Sequence, residues 1–117
     1  MNRKFRLVKS ADFKKLRDSG SAFFHPIVKM AVLKNELPHS RFAVITSKII
    51  GTAVERNRCK RRMRAVINLL KSACEPGWDV IFIIRKSFTR SNSNEIRAAA
   101  ENLLLQAGLL EIKEKIL

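Results

Sequence analysis

From Thr52 to Cys74 the apolar residues recur with the period of a helix. Cys59, Met63, Val66, Ile67, Leu70 and Cys74 fall at i, i+4, i+7, i+8, i+11 and i+15. That is one stripe, spanning roughly −20° to 80° when Cys59 is set at 0°. Lys60, Arg64, Asn57, Arg61, Arg58 and Arg62 fill the arc from about 100° to 300°. Such a helix needs a layer to cover its stripe and leaves its other faces to solvent or to an anionic partner. Its start is written locally. Thr52-Ala53-Val54-Glu55 fits a capping box, in which hydroxyl and carboxylate each satisfy a free amide. Gly51 permits a sharp turn from strand to helix.

The covering layer is legible in outline. Residues 21–33 are rich in aromatic and β-branched side chains, and Pro26 demands an edge or a break. Residues 34–40, KNELPHS, read as the turn between two strands. Residues 41–47 form the next strand. Residues 79–85, DVIFIIR, are a short unbroken apolar run, typical of a buried strand. Cys74–Trp78 holds Pro76 and Gly77 and is a connection. Ser10 suits the N-cap of a short helix over 11–18, with Gly20 as its stop. Residues 88–94 are polar and aperiodic and lead into a helix over about 94–107. Ile96, Ala99, Ala100, Leu103, Leu104 and Ala107 form its stripe, and Gly108 ends it. The tail, Leu109–Leu117, has room for a further turn or two. The expectation is one domain, residues 1–117, of α+β class, with helices on a mostly antiparallel sheet.

The 117 residues carry 24 Lys and Arg against 10 Asp and Glu, a net charge of +14, yet 46% are hydrophobic. A disordered basic tail would lack those apolar residues. The longest apolar run, Val80–Ile84, is far too short to span a membrane. Two cysteines 15 residues apart are neither a disulfide scaffold nor a zinc site, and two free thiols suit a reducing cytoplasm. The first residues, MNRKFRLVKSADF, have no apolar core of a secretory signal. The chain is expected in the cytoplasm, with no membrane partner.

The charge is uneven. Residues 1–17 and residues 48–64 each balance to +6. A solvated helical face normally mixes signs, because Glu–Lys pairs at i,i+4 stabilise it. Here Glu55 alone opposes six cations, five of them arginines, which make flat bidentate contacts with phosphate. This favours nucleic acid over a merely solvated face.

The run Gly51-Thr52-Ala53-Val54-x-Arg56-Asn57-Arg58-x-Lys60-Arg61-x-x-Arg64 resembles the RNR signature of the bacterial ribonuclease P protein subunit. Arg6-Leu7 with Asp12-Phe13, Arg41 opening the strand that leads to Ser47-Lys48, and the strand at 79–86 resemble that family's other segments, so the likeness covers almost the whole chain. It departs at Ile49, where the family usually has a lysine. Ala43 stands where a glycine is common, and Ala65 where Glu or Gln is. Arg17 stands where many members carry a second aromatic on the first helix.

The resemblance implies an αβββαβα sandwich like the second domain of ribosomal protein S5, with a four-stranded, mostly antiparallel sheet and a left-handed β-α-β crossover. Right-handed crossovers are the strong norm, so physics alone points to the other hand. It also implies an endoribonuclease that works as an RNA–protein holoenzyme, one protein with one ribonuclease P RNA. The RNA performs the catalysis and holds most of the Mg2+, none being bound tightly by the protein. The product is the mature 5′ end of tRNA, cut from precursor tRNA. Lys48, Arg56, Asn57, Arg58, Lys60, Arg61, Arg62 and Arg64 are then the candidate contacts to the RNA subunit. Lys9, Phe13, Lys14 and Arg17 are the candidates for a cleft between the first helix, the sheet and the RNR helix, which takes the 5′ leader.

The residues themselves show no hydrolase centre and no metal site. His25 and His39 read as surface histidines, and Asp12, Asp18 and Asp79 are scattered rather than paired. Phe13 either stacks a leader base or packs with Leu16. Trp78 reads as core edge. The competing readings are a structural ribosomal-type RNA-binding protein with no role in tRNA processing, and an autonomous nuclease.

Overall fold

The computed structural model describes residues 5–7 and 9–111. Arg3 and Lys4 of the N-terminal charge block, and the end of the tail, lie outside them. The order is α1 (Ser10–Ser19), β1 (Ser21–Phe24), β2 (Val28–Lys34), β3 (Arg41–Ile45), α2 (Ala53–Leu70), β4 (Trp78–Ile84) and α3 (Ser93–Gln106). Short 3-10 turns precede and follow α2 and β4.

The strands lie in the order β1-β2-β4-β3. β1 with β2 and β2 with β4 are antiparallel, and β3 with β4 is parallel. Residues 34–40 therefore join strands that are not neighbours: β4 fills the gap between them. Side-chain alternation divides the sheet into two faces. Val80, Phe82, Phe42 and Val44 meet the α2 stripe and α3 on one face, in the main core. Ile81 and Ala43 meet Leu16 of α1 and Leu7 on the other.

The parallel pair sets the hand of the crossover. Phe42 sends its side chain beneath α2, while its carbonyl accepts from the Leu7 amide (2.9 Å) on the edge away from β4. For an L-residue this puts β4 to the left of β3, viewed from α2 with β3 running upward. The β3–α2–β4 connection is accordingly left-handed, against the usual preference.

The start signals of α2 are realised, but the helix stops at Leu70: a 3-10 turn, Lys71–Ala73, takes over, and Cys74 lies beyond it, bridged to Leu110. Thr52 Oγ1 accepts from the Glu55 amide (3.2 Å) and Glu55 Oε1 from the Thr52 amide (3.3 Å). Gly51 sits at φ 138°, and a Cβ there would lie 2.7 Å from the Glu55 carboxylate, so the turn and the cap together require glycine. Three other expectations need correction. Ser10 is the first residue of α1 rather than its cap; Lys9 holds that place without a side-chain bond. The aperiodic stretch after β4 begins with a 3-10 turn, Lys86–Arg90, that buries Phe88 completely. The N-terminus of α3 is a second capping box, Asn92 with Glu95, which the sequence reading missed. Trp78 is half-buried at the edge of the main core, as expected.

Candidate nucleic-acid interface

Burial of the α2 stripe forces its cations outward. Cys59, Met63, Val66, Ile67 and Leu70 are buried. Arg58 and Arg61 are exposed, and Lys60 and Arg64 are half-exposed. The ion pairs among the described residues are Arg41 with Asp12 and with Asp79, and Arg97 with Glu101. None of these draws on α2. A shallow depression on this helix is lined by Asn57, Arg61, Arg64 and Asn68, and Arg6 reaches it from the N-terminal segment.

Two of the candidate cations have work within the fold. Arg62 Nη2 donates to the Ser91 carbonyl (2.6 Å), and its guanidinium lies 5.7 Å from the Phe88 ring centroid. It ties α2 to the turn after β4. Arg56 Nη1 donates to the Gly51 carbonyl (3.3 Å), closing the entry turn. Lys48 is exposed in the 3-10 turn before α2.

The second surface is a groove between α1 and the bare face of the sheet, with a volume of about 350 Å³. Phe13 and Arg17 form the α1 wall, and Ala22, Ala31, Ile81 and Ile83 lie along the sheet. Lys29 adds a cation the sequence reading did not select, although alternation along VKMAVLK puts it on the same face as Ala31. Lys9 and Lys14 are exposed on α1 but do not line the groove. Phe13 is half-buried: it packs against the cluster of Leu7, Leu16, Ala43 and Ile81 and also presents an edge to the groove. α2 lies on the opposite face, so it is not a wall of this groove. It meets the α1 side only around the β3 edge, where Arg6, Phe13 and Arg64 border one small hollow.

Arg41 ties α1 to the start of β4. Its Nε and Nη2 grip the Asp79 carboxylate at 2.9 and 2.7 Å, and Nη1 lies 3.3 Å from Asp12 Oδ2. Asn35 Nδ2 completes the buried Asp79 at 2.8 Å. The bond to Asp79 holds the Arg41 pKa above its ordinary value. Asp12 precedes Phe13, so this bridge from β3 fixes the α1 wall. Asp12 and Asp79 thus share a guanidinium, not a metal. No group of three or more His, Cys, Asp or Glu that could hold a metal occurs among the described residues. Burial raises the Cys59 thiol pKa and pushes Cys74 up to about 11, so neither supplies a thiolate near neutral pH.

A family model described as Ribonuclease P matches residues 1–108. The chain belongs to the ribonuclease P protein family. A ribonuclease P protein component from Herpetosiphon aurantiacus is 37% identical over 115 residues, covering 98% of this chain and 94% of the relative. One from Clostridioides difficile is 32% identical, covering 88% and 91%. The solved RNase P protein of Staphylococcus aureus superposes with a TM-score of 0.83 at 28% identity, covering 92% of this chain and 98% of that one. The Thermotoga maritima protein superposes with a TM-score of 0.79 at 27% identity, covering 86% and 96%. Within the ribonuclease P protein fold, the RNR signature is the exposed arc of α2. The Ile49 departure leaves an exposed apolar side chain at its entrance.

Proposed function

We propose that this ribonuclease P protein divides its work between its two surfaces. The exposed arc of α2 binds the RNA subunit, one protein to one RNA, and the α1 groove takes the single-stranded 5′ leader of precursor tRNA. Hydrolysis belongs to the RNA and the Mg2+ it holds, in the cytoplasm. The carrying observation is the outward charge of α2: Arg58, Lys60, Arg61 and Arg64 face solvent and form no ion pair among the described residues. Those cations lower the repulsion between crowded phosphates. Leader binding at the groove favours precursor over product and, by reciprocal coupling, favours metal ions bound to the same phosphates.

Reconstitution tests the whole reading. The protein should restore cleavage of precursor tRNA by a ribonuclease P RNA at low Mg2+ and should cleave nothing alone. Cleavage without RNA, or no rescue, overturns it. If about six cations of residues 48–64 meet phosphates, log affinity should fall against log salt with a slope of roughly −4 to −5. A slope near −1 in filter binding means that the face is solvated. Phe13→Ala should weaken precursor tRNA binding by roughly 1–3 kcal/mol and leave mature tRNA unchanged. Equal loss for both substrates returns Phe13 to a packing role.

A further inference from the structure

Phe24 is the most conspicuous aromatic on the molecule, 61% exposed at the end of β1. Alternation fixes which way it faces. Phe23 packs against the main core under α2 and α3, so Phe24 turns to the face that carries the groove. Across the hairpin Phe24 pairs with Lys29, whose ammonium lies 5.1 Å from the ring centroid. That same Lys29 lines the groove beside Phe13 and Arg17. On the sheet side the groove is floored by Ala22 and Ala31, with Ile45, Ile81 and Ile83 beside them. One exposed phenyl ring is ordinary on a protein surface. A ring, a cation and a groove joined on one surface are the elements by which proteins hold single-stranded nucleic acid without reading its sequence.

We propose that Phe24 and Lys29 form a second nucleotide subsite at the outer end of the groove. The ring stacks one leader base and the ammonium meets the adjoining phosphate. Phe24 lies two residues beyond Ala22 along β1, roughly 7 Å along the strand, and the proposal assigns it a leader nucleotide farther from the cleavage point than the one at Phe13. It supplies from the sheet a stacking surface that α1, with Arg17, does not. The inference rests on the groove being the leader site.

The test is the affinity of the reconstituted holoenzyme for precursor tRNAs of graded leader length. Phe24→Ala should weaken binding of long leaders by about 5- to 100-fold while the shortest leaders and mature tRNA keep their affinity. Phe24→Leu, apolar but unable to stack, should behave like alanine, and Phe24→Trp should restore binding. If Phe13→Ala weakens long leaders and Phe24→Ala does not, the subsite is overturned and the groove reading stands. If leader length affects neither variant, the groove reading falls and the subsite with it.

Discussion

Changing Arg61 and Arg64 together to glutamate is expected to lower affinity for ribonuclease P RNA by about 100-fold or more near 0.15 M salt. Both sit on the outward arc of α2, and neither forms an ion pair among the described residues. Each neutralised phosphate contributes through the counterions it releases, and reversing the sign adds repulsion to the lost contact. The salt slope should flatten by about two units in the same measurement. Helix content should hold, because the buried stripe and the Thr52–Glu55 cap are untouched. An affinity within threefold of the parent, with circular dichroism unchanged, would show that the RNA docks elsewhere. Arg62→Ala is the instructive contrast. Its guanidinium is spent on Ser91 and Phe88, so its loss should fall mainly on stability.

Phe82→Ala should remove about 3–5 kcal/mol of folding stability. The ring is 1% exposed in the middle of the central strand, flanked by Met30 on β2 and Val44 on β3. Shrinking it opens a cavity that two sheet neighbours and two helices border and cannot refill. Small domains hold only about 5–15 kcal/mol in total, and a net charge of +14 opposes compaction further. The variant is therefore expected to unfold at low ionic strength and to regain its urea transition when sulfate or pyrophosphate occupies the native cationic sites. A midpoint shift equivalent to less than about 1 kcal/mol would mean that the core repacks around the deletion.

How much was readable beforehand depended on range. The start of α2 was legible to the residue because its signals are local, a cap four residues long and a glycine at the turn; its end was not, since the stripe runs on to Cys74 while the α-helix stops at Leu70. The cap of α3 at Asn92 was equally local and was passed over because asparagine, not serine or threonine, opens it. Strand order was not legible. Nothing in KNELPHS says that β4 will enter between the strands it joins, since that choice is made by contacts some fifty residues away, such as Val28 with Ile84. The family likeness supplied the crossover's hand, and the Phe42 carbonyl shows it. Charge singled out the exposed arc of α2 but counted Arg62 with its neighbours, because composition cannot see the Ser91 carbonyl that it meets. The groove was half-read: Phe13 and Arg17 came from α1, while Lys29 and the isoleucines of β4 needed the sheet to bring them there.

The insertion of β4 between β2 and β3 also orders the birth of the molecule. Until residue 84 is made, the two flanking strands have no neighbour to share, and Ile81 and Ile83 are missing from the groove. α2 is already complete by then, with its own start signal, while its stripe still lacks Val80 and Phe82 of β4 and all of α3. Non-local pairings of this kind are the slow events of folding. The cationic helix is thus synthesised ahead of the groove, and the arrival of one seven-residue strand completes the sheet and the groove, while α3 follows to close the main core.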